Sequence, residues 1–178
     1  MPRIPRGQLA GHAYHILNRG NGGAVVFRKD ADYAAFLALL KMAKSKYRVR
    51  VLAFCLMPNH FHLVLQPETT DALSPFMQWW MTSHVRRYHR HYRSHGHVWQ
   101  GRFKSFSIQQ DDHVLTLLRY VLRNPVRAQL VESVTQWPWS SLPLAVPLSA
   151  SNLFDGDSRR SSSLTAASIA FSFMNARC

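Results

Sequence analysis

A chain of 178 residues that is 47% hydrophobic is long enough to bury a true core in one domain. Its 22 Lys and Arg against 9 Asp and Glu leave a formal charge of +13, so the natural partner is a polyanion rather than a basic or apolar surface. Two cysteines, Cys55 and Cys178, exclude a disulfide framework and a four-cysteine zinc site and point to a reducing compartment. No apolar run follows the basic, proline-bearing segment Met1 to Gln8, so neither a secretory leader nor a membrane span is expected, and the expected location is cytoplasmic.

In chain order, the pattern predicts a first strand around His12 to Asn18 and a glycine-rich turn at Gly20-Asn21-Gly22-Gly23. A helix capped by Asp30 or Asp32 follows, with Tyr33, Phe36, Leu37 and Leu40 on one face as far as about Tyr47. Arg50 to Leu56 and His60 to Gln66 then read as two antiparallel strands joined at Met57-Pro58-Asn59. Side chains alternate along a strand, so His60 and His62 share a face while Phe61, Leu63 and Leu65 point the other way. Two imidazoles on one face can share a metal ion or a polar substrate.

Ser74-Pro75 reads as a cap followed by proline in the first helical position, and Phe76, Met77, Trp80, Met81, Val85 and Tyr88 trace a buried stripe to about Tyr92, with Gly96 as the stop. Along and after this helix Arg86, Arg87, Arg90, Arg93, Arg102 and Lys104 are interleaved with His84, His89, His91, His95, His97, Tyr88, Tyr92 and Trp99. That mixture offers phosphate contacts beside stacking platforms. His89 and His91 point to different sides of a helix and cannot converge, whereas His95 and His97 flank Gly96 in a loop, where the spacing sets no geometry and solvated histidines are expected.

Arg102 to Gln109 reads as a fourth strand with Phe103 and Phe106 as its heavy residues. A last helix, capped by Asp111 or Asp112, runs through Asn124 to a stop at Pro125, packing on Val114, Leu117, Leu118 and Val121. Tyr120 and Asn124, four apart, share its other face, with Arg123 and Arg127 close by. The order predicts an α+β domain over 1–146: a ferredoxin-like antiparallel sheet with helices on one face, the other face left for a ligand, and a C-terminal helix carrying the tyrosine. Residues 147–178, Ser-rich around Ser158 to Ser163, read as a mobile tail, although Ile169 to Met174 is apolar enough to dock.

A histidine, hydrophobic residue, histidine strand followed some sixty positions later by a helix tyrosine resembles the layout of the single-tyrosine HUH transposases, and among them the REP-associated tyrosine transposases. The resemblance takes in Tyr14 to Asn21, Met57 to Val64, Val98 to Lys104, Tyr120 to Ala128 and Trp137 to Ser141, or about residues 8 to 145. It implies a single-stranded DNA endonuclease and strand transferase acting on hairpins of repetitive extragenic palindromes. Tyr120 would attack a phosphodiester, keep the 5′ phosphate and release a 3′ hydroxyl. His60, His62 and Asn124 would bind Mg2+ or Mn2+, with Asn124 standing where insertion-sequence relatives often carry glutamine.

The expected DNA-contacting residues are Arg19, Arg86, Arg87, Arg90, Arg93, Arg102, Lys104, Arg123 and Arg127. A monomer is expected, with a dimer as the alternative. Two rival readings stand beside this one: a non-catalytic single-stranded nucleic-acid-binding module of ferredoxin-like fold, and a metal hydrolase using metal-bound water with Tyr120 a bystander.

Overall fold

The computed structural model describes residues 9–108 and 111–142 of the chain, which leaves the Ser-rich segment expected to be a tail, and the side chains of the Asp111 or Asp112 cap, outside the described residues. Strands β1 (Ala13–Arg19), β2 (Val49–Met57), β3 (His60–Pro67) and β4 (Lys104–Ile108) form a four-stranded sheet in the order β2-β3-β1-β4. Every pairing is antiparallel. Helix α1 (Asp30–Lys46) follows β1, α2 (Leu73–Tyr92) follows β3, and α3 (Asp111–Leu122) with the short α4 (Asn124–Arg127) follows β4.

Alternation divides the sheet into two differently used faces. Tyr14, Ile16, Phe61, Leu63 and Leu65 point to one side and meet α1 and α2 through Phe36, Leu40, Phe76, Met77 and Trp80 in the main core. Eight of these side chains, all but Tyr14 and Leu40, are wholly buried. At roughly 1.5–3 kcal/mol for each large apolar side chain, this layer is the main source of stability. Along β2 the register shifts between Val51 and Ala53. That irregularity lets Val49 and Val51, and then Phe54 and Leu56, all join the same core although the two sets differ in parity.

The opposite face is small and apolar at its β2 end, where Ala13, Ala53, Cys55, Met57 and Val64 receive Leu118 and Val121 of α3. The expected helix pair on one face is therefore present, but the other face is not left open as a whole, because the tyrosine-bearing helix occupies part of it. Beyond β2 the segment 137–141 runs along the sheet edge: Leu56 N–H donates to Trp139 O at 2.9 Å and Ser141 N–H to Phe54 O at 3.0 Å. This covers an edge that would otherwise expose unpaired backbone groups. No helix among the described residues is long and apolar enough to cross a membrane.

Several boundaries differ from the sequence pattern for identifiable reasons. Helix α2 starts at Leu73 after Ala72, so Ser74 lies in its first turn rather than capping it, and Pro75 stays within the turn whose N–H groups lack helical partners. Its end is not Gly96 but Arg93, in the left-handed conformation at φ 46° and ψ 42°. His89 closes this terminus, its ring nitrogens lying 3.0 Å from Ser94 Oγ and 3.0 Å from Gly96 O. In the last helix, α3 ends at Leu122, so Asn124 begins a separate short helix.

Two residues read as part of the basic, stacking surface belong to the core instead. His84 and Trp99 are buried, and Trp99 Nε1–H donates to His84 Nδ1 at 3.2 Å. Burial holds the His84 imidazole well below its usual 6.5, at about 4. The unfolded chain therefore binds one more proton than the fold between those two values, and stability is complete above about pH 6.5 and falls as the pH drops through that range. From this group the loss is roughly 2–3 kcal/mol by about pH 4. Urea unfolding of the wild type and of His84→Gln at about pH 7 and about pH 5 tests this, with the variant expected to lose clearly less stability on acidification. An equal loss in both would assign the acid sensitivity to other histidines.

Candidate active site

The pairing of β1 with β3 builds the site. Arg19 lies opposite His60, Leu17 opposite His62, and His15 opposite Val64, so His15, Leu17, Arg19, His60 and His62 all stand on the face that α3 partly covers. His60 and His62 rings are 5.1 Å apart at 85°. The His62 and His15 rings are nearly parallel, 16° apart, with centroids at 5.2 Å, and meet through their edges, His15 Nε2 lying 3.0 Å from His62 Nδ1. On the far side of β1, Phe106 of β4 comes within 6.3 Å of the His15 ring.

Tyr120 is brought to this group by α3. Leu118 and Val121 anchor the helix on the sheet, which turns the phenol side of the last turn toward the histidines. The Tyr120 ring is 5.8 Å from His62 and 6.3 Å from His15, edge-on to both, and remains 40% exposed, so a large substrate can reach it. From α4 the Arg127 guanidinium sits over the Tyr120 ring at 5.1 Å. The tyrosine thus has imidazoles on one side and a cation on the other.

Their surroundings favour the neutral form of all three histidines. Burial lowers the pKa of His15, burial and then Arg19 lower that of His60, and burial with the neighbouring His60 and His15 pushes His62 down to about 3. His60 Nδ1 lies 2.7 Å from Asn59 Oδ1, and Asn59 in turn donates from Nδ2 to Gly23 O at 3.1 Å. Both His60 and His62 therefore have Nδ1 engaged by a neighbour, which leaves Nε2 as the nitrogen for a ligand. A pair of neutral imidazoles held in this way fits a divalent cation.

Asn124, the expected third ligand, stands just past the end of α3. Its Nδ2 donates to Tyr120 O at 2.8 Å and to Val121 O at 3.3 Å. Pro125 has no N–H to offer the Val121 carbonyl, so the amide supplies the missing donor. No hydrogen bond joins Asn124 to either histidine among the described residues. Nor does the structure gather all the expected DNA-contacting residues: Arg19, Arg127 and Lys104 belong to the histidine face and Arg123 to the junction after α3, whereas Arg86, Arg87, Arg90 and Arg93 are exposed on or just past α2, behind the sheet. Arg102 is exposed in the connection leading to β4, its guanidinium 5.9 Å from the Phe103 ring.

The family model described as "Transposase IS200 like" matches residues 8–124, and the chain belongs to that family. Over 117 residues it is 31% identical to a Haemophilus influenzae protein assigned by name to the REP-associated tyrosine transposases. That match takes in 60% of this chain and 66% of the relative, so the chain spans about two thirds of the relative's length. A solved REP-associated tyrosine transposase bound to a REP hairpin superposes with a TM-score of 0.65 at 18% identity, covering 93% of this chain and 96% of that one. The fold and the family resemblance read from the sequence are thereby borne out.

The Asn124 junction makes a prediction independent of chemistry. Asn124→Ala removes a donor from two carbonyls and is expected to lower stability by about 1 kcal/mol. Amide hydrogen exchange should quicken in the last turn of α3 while the sheet stays protected. Unchanged exchange there would show that the amide does not hold the junction.

Proposed function

We propose that this chain is a metal-dependent single-stranded DNA endonuclease and strand transferase that acts on REP-type hairpins in the cytoplasm, with Tyr120 as its nucleophile. The observation that carries this reading is the position of Tyr120, exposed, 5.8 Å from the His62 ring and under the Arg127 guanidinium. The Tyr120 hydroxyl gives up its proton as its oxygen bonds to phosphorus, the bond to the 3′ oxygen breaks, and the departing oxygen takes up a proton, so no net proton is gained or lost. One phosphodiester is exchanged for another, so the 3′ hydroxyl can attack the phosphotyrosine and restore the strand.

His60 and His62 would hold Mg2+ or Mn2+ through Nε2, with the Asn124 amide oxygen as third ligand, and the bound ion supplies charge stabilisation at the phosphate oxygens. Arg127, beside the phenol, is placed to meet the negative charge that the attack brings in. Arg19, opposite His60, and Lys104, opposite Leu17, line the approach to the same face and suit the flanking single strand. The α2 arginines lie behind the sheet, where they serve the hairpin stem as phosphate contacts without reading bases.

Incubating the chain with a labelled REP-type hairpin and manganese, then running denaturing gels, tests the chemistry. Wild type should give a protein-linked DNA band, and Tyr120→Phe should abolish both band and cleavage while hairpin affinity stays within a few-fold. No adduct in the wild type, with binding intact, would leave a binding module instead of an enzyme.

The phosphate assignment has its own measurement. Replacing Arg86, Arg87, Arg90 and Arg93 with Ala should reduce the slope of log affinity against log salt by roughly one for each phosphate contact removed. Discrimination between hairpins should persist. A wild-type slope in the fourfold variant would remove α2 from the interface.

A further inference from the structure

One partly buried polar contact has no part in the reaction as proposed: His15 Nε2 against His62 Nδ1 at 3.0 Å. At that distance one nitrogen must donate and the other accept, so a single proton lies between the rings. His15 stands on β1 at the position opposite Val64, diagonal to His62, and the two ring planes are within 16° of parallel, as an N–H···N bond in the ring plane requires. The contact therefore holds His62 both in position and in orientation. His60 has a counterpart in Asn59, whose Oδ1 can only accept and so fixes the His60 proton on Nδ1.

We propose that His15 is a positioning residue, which accepts the Nδ1 proton of His62 and so presents the His62 Nε2 lone pair to a divalent cation. This rests on the reading of His62 as a cation ligand. The alternative proton placement would put N–H on His62 Nε2 and turn a donor toward the cation. A free histidine in water favours that second tautomer, so the useful one needs a fixed acceptor at Nδ1, and His15 is the group that the β1 to β3 pairing supplies. His15 then carries its own proton on Nδ1.

The test uses the full chain and manganese alone. Nitrogen-15 imidazole spectra of the metal-free wild type should show His62 protonated at Nδ1, and a His62 found protonated at Nε2 overturns the proposal without any variant. In calorimetric titration His15→Leu should bind Mn2+ about 10-fold to 100-fold more weakly and show mixed His62 tautomers. His15→Gln, whose Oε1 can accept the same proton, should recover affinity to within a few-fold. A glutamine variant as defective as His62→Ala would make His15 a ligand and overturn the positioning role. Wild-type affinity in His15→Leu, with binding lost in His62→Ala, would also overturn it. Wild-type affinity in His62→Ala would instead overturn the underlying metal reading.

Discussion

The antiparallel pairing of β1 with β3 is the constraint on which the rest depends. These strands come from distant parts of the chain, yet their register sets Arg19 against His60, Leu17 against His62 and His15 against Val64. A slip of one residue would turn every one of these side chains to the opposite face. The histidines would then enter the aromatic core, and Tyr14, Ile16, Phe61 and Leu63 would meet solvent and α3. Burial of that apolar set fixes the register, and the polar site inherits its geometry from the core behind it.

The turn after β1 extends this control. Gly20 has an ordinary φ of −56°, so glycine is needed there for space: a Cβ would run into the Ala24 carbonyl and the Val26 side chain. Gly20 N–H reaches Asn59 O at 2.7 Å, and Asn21 N–H reaches Val98 O at 2.9 Å. The glycine-rich turn thereby ties the β2 to β3 hairpin and the 98–101 connection to the end of β1. Asn59, held by Gly23, passes that order to His60.

Much of this was legible in local spacing. Alternation placed His60 and His62 together, helical spacing placed Tyr120 opposite Leu117, Leu118 and Val121, and the element order gave the antiparallel sheet. His15 was not singled out, because its partner lies 47 residues away and only the pairing register brings the two rings together. The signal existed in the alternation of Tyr14, His15 and Ile16, which turns His15 away from the core. His84 was assigned to the basic surface by its charged neighbours, although Leu73, Phe76, Met77, Trp80 and His84 share one helical face. The break at Leu122 was hidden because Asn124 satisfies carbonyls that a continuous helix would use, and side-chain bonds of that kind leave no periodic trace.

Cys55 lies wholly buried beneath α3 and beside the 137–140 segment, and burial pushes its thiol up to about 12. In the closed fold such a sulfur is inert to alkylating reagents, since it is neither accessible nor ionised. It becomes reactive only when the covering pieces lift from the sheet, and α3, which carries Tyr120, is one of them. The protein thus has a native chemical clock for that event: the alkylation rate at Cys55 counts how often the cover over the sheet, including the tyrosine's helix, leaves its seat, with no label attached near the site.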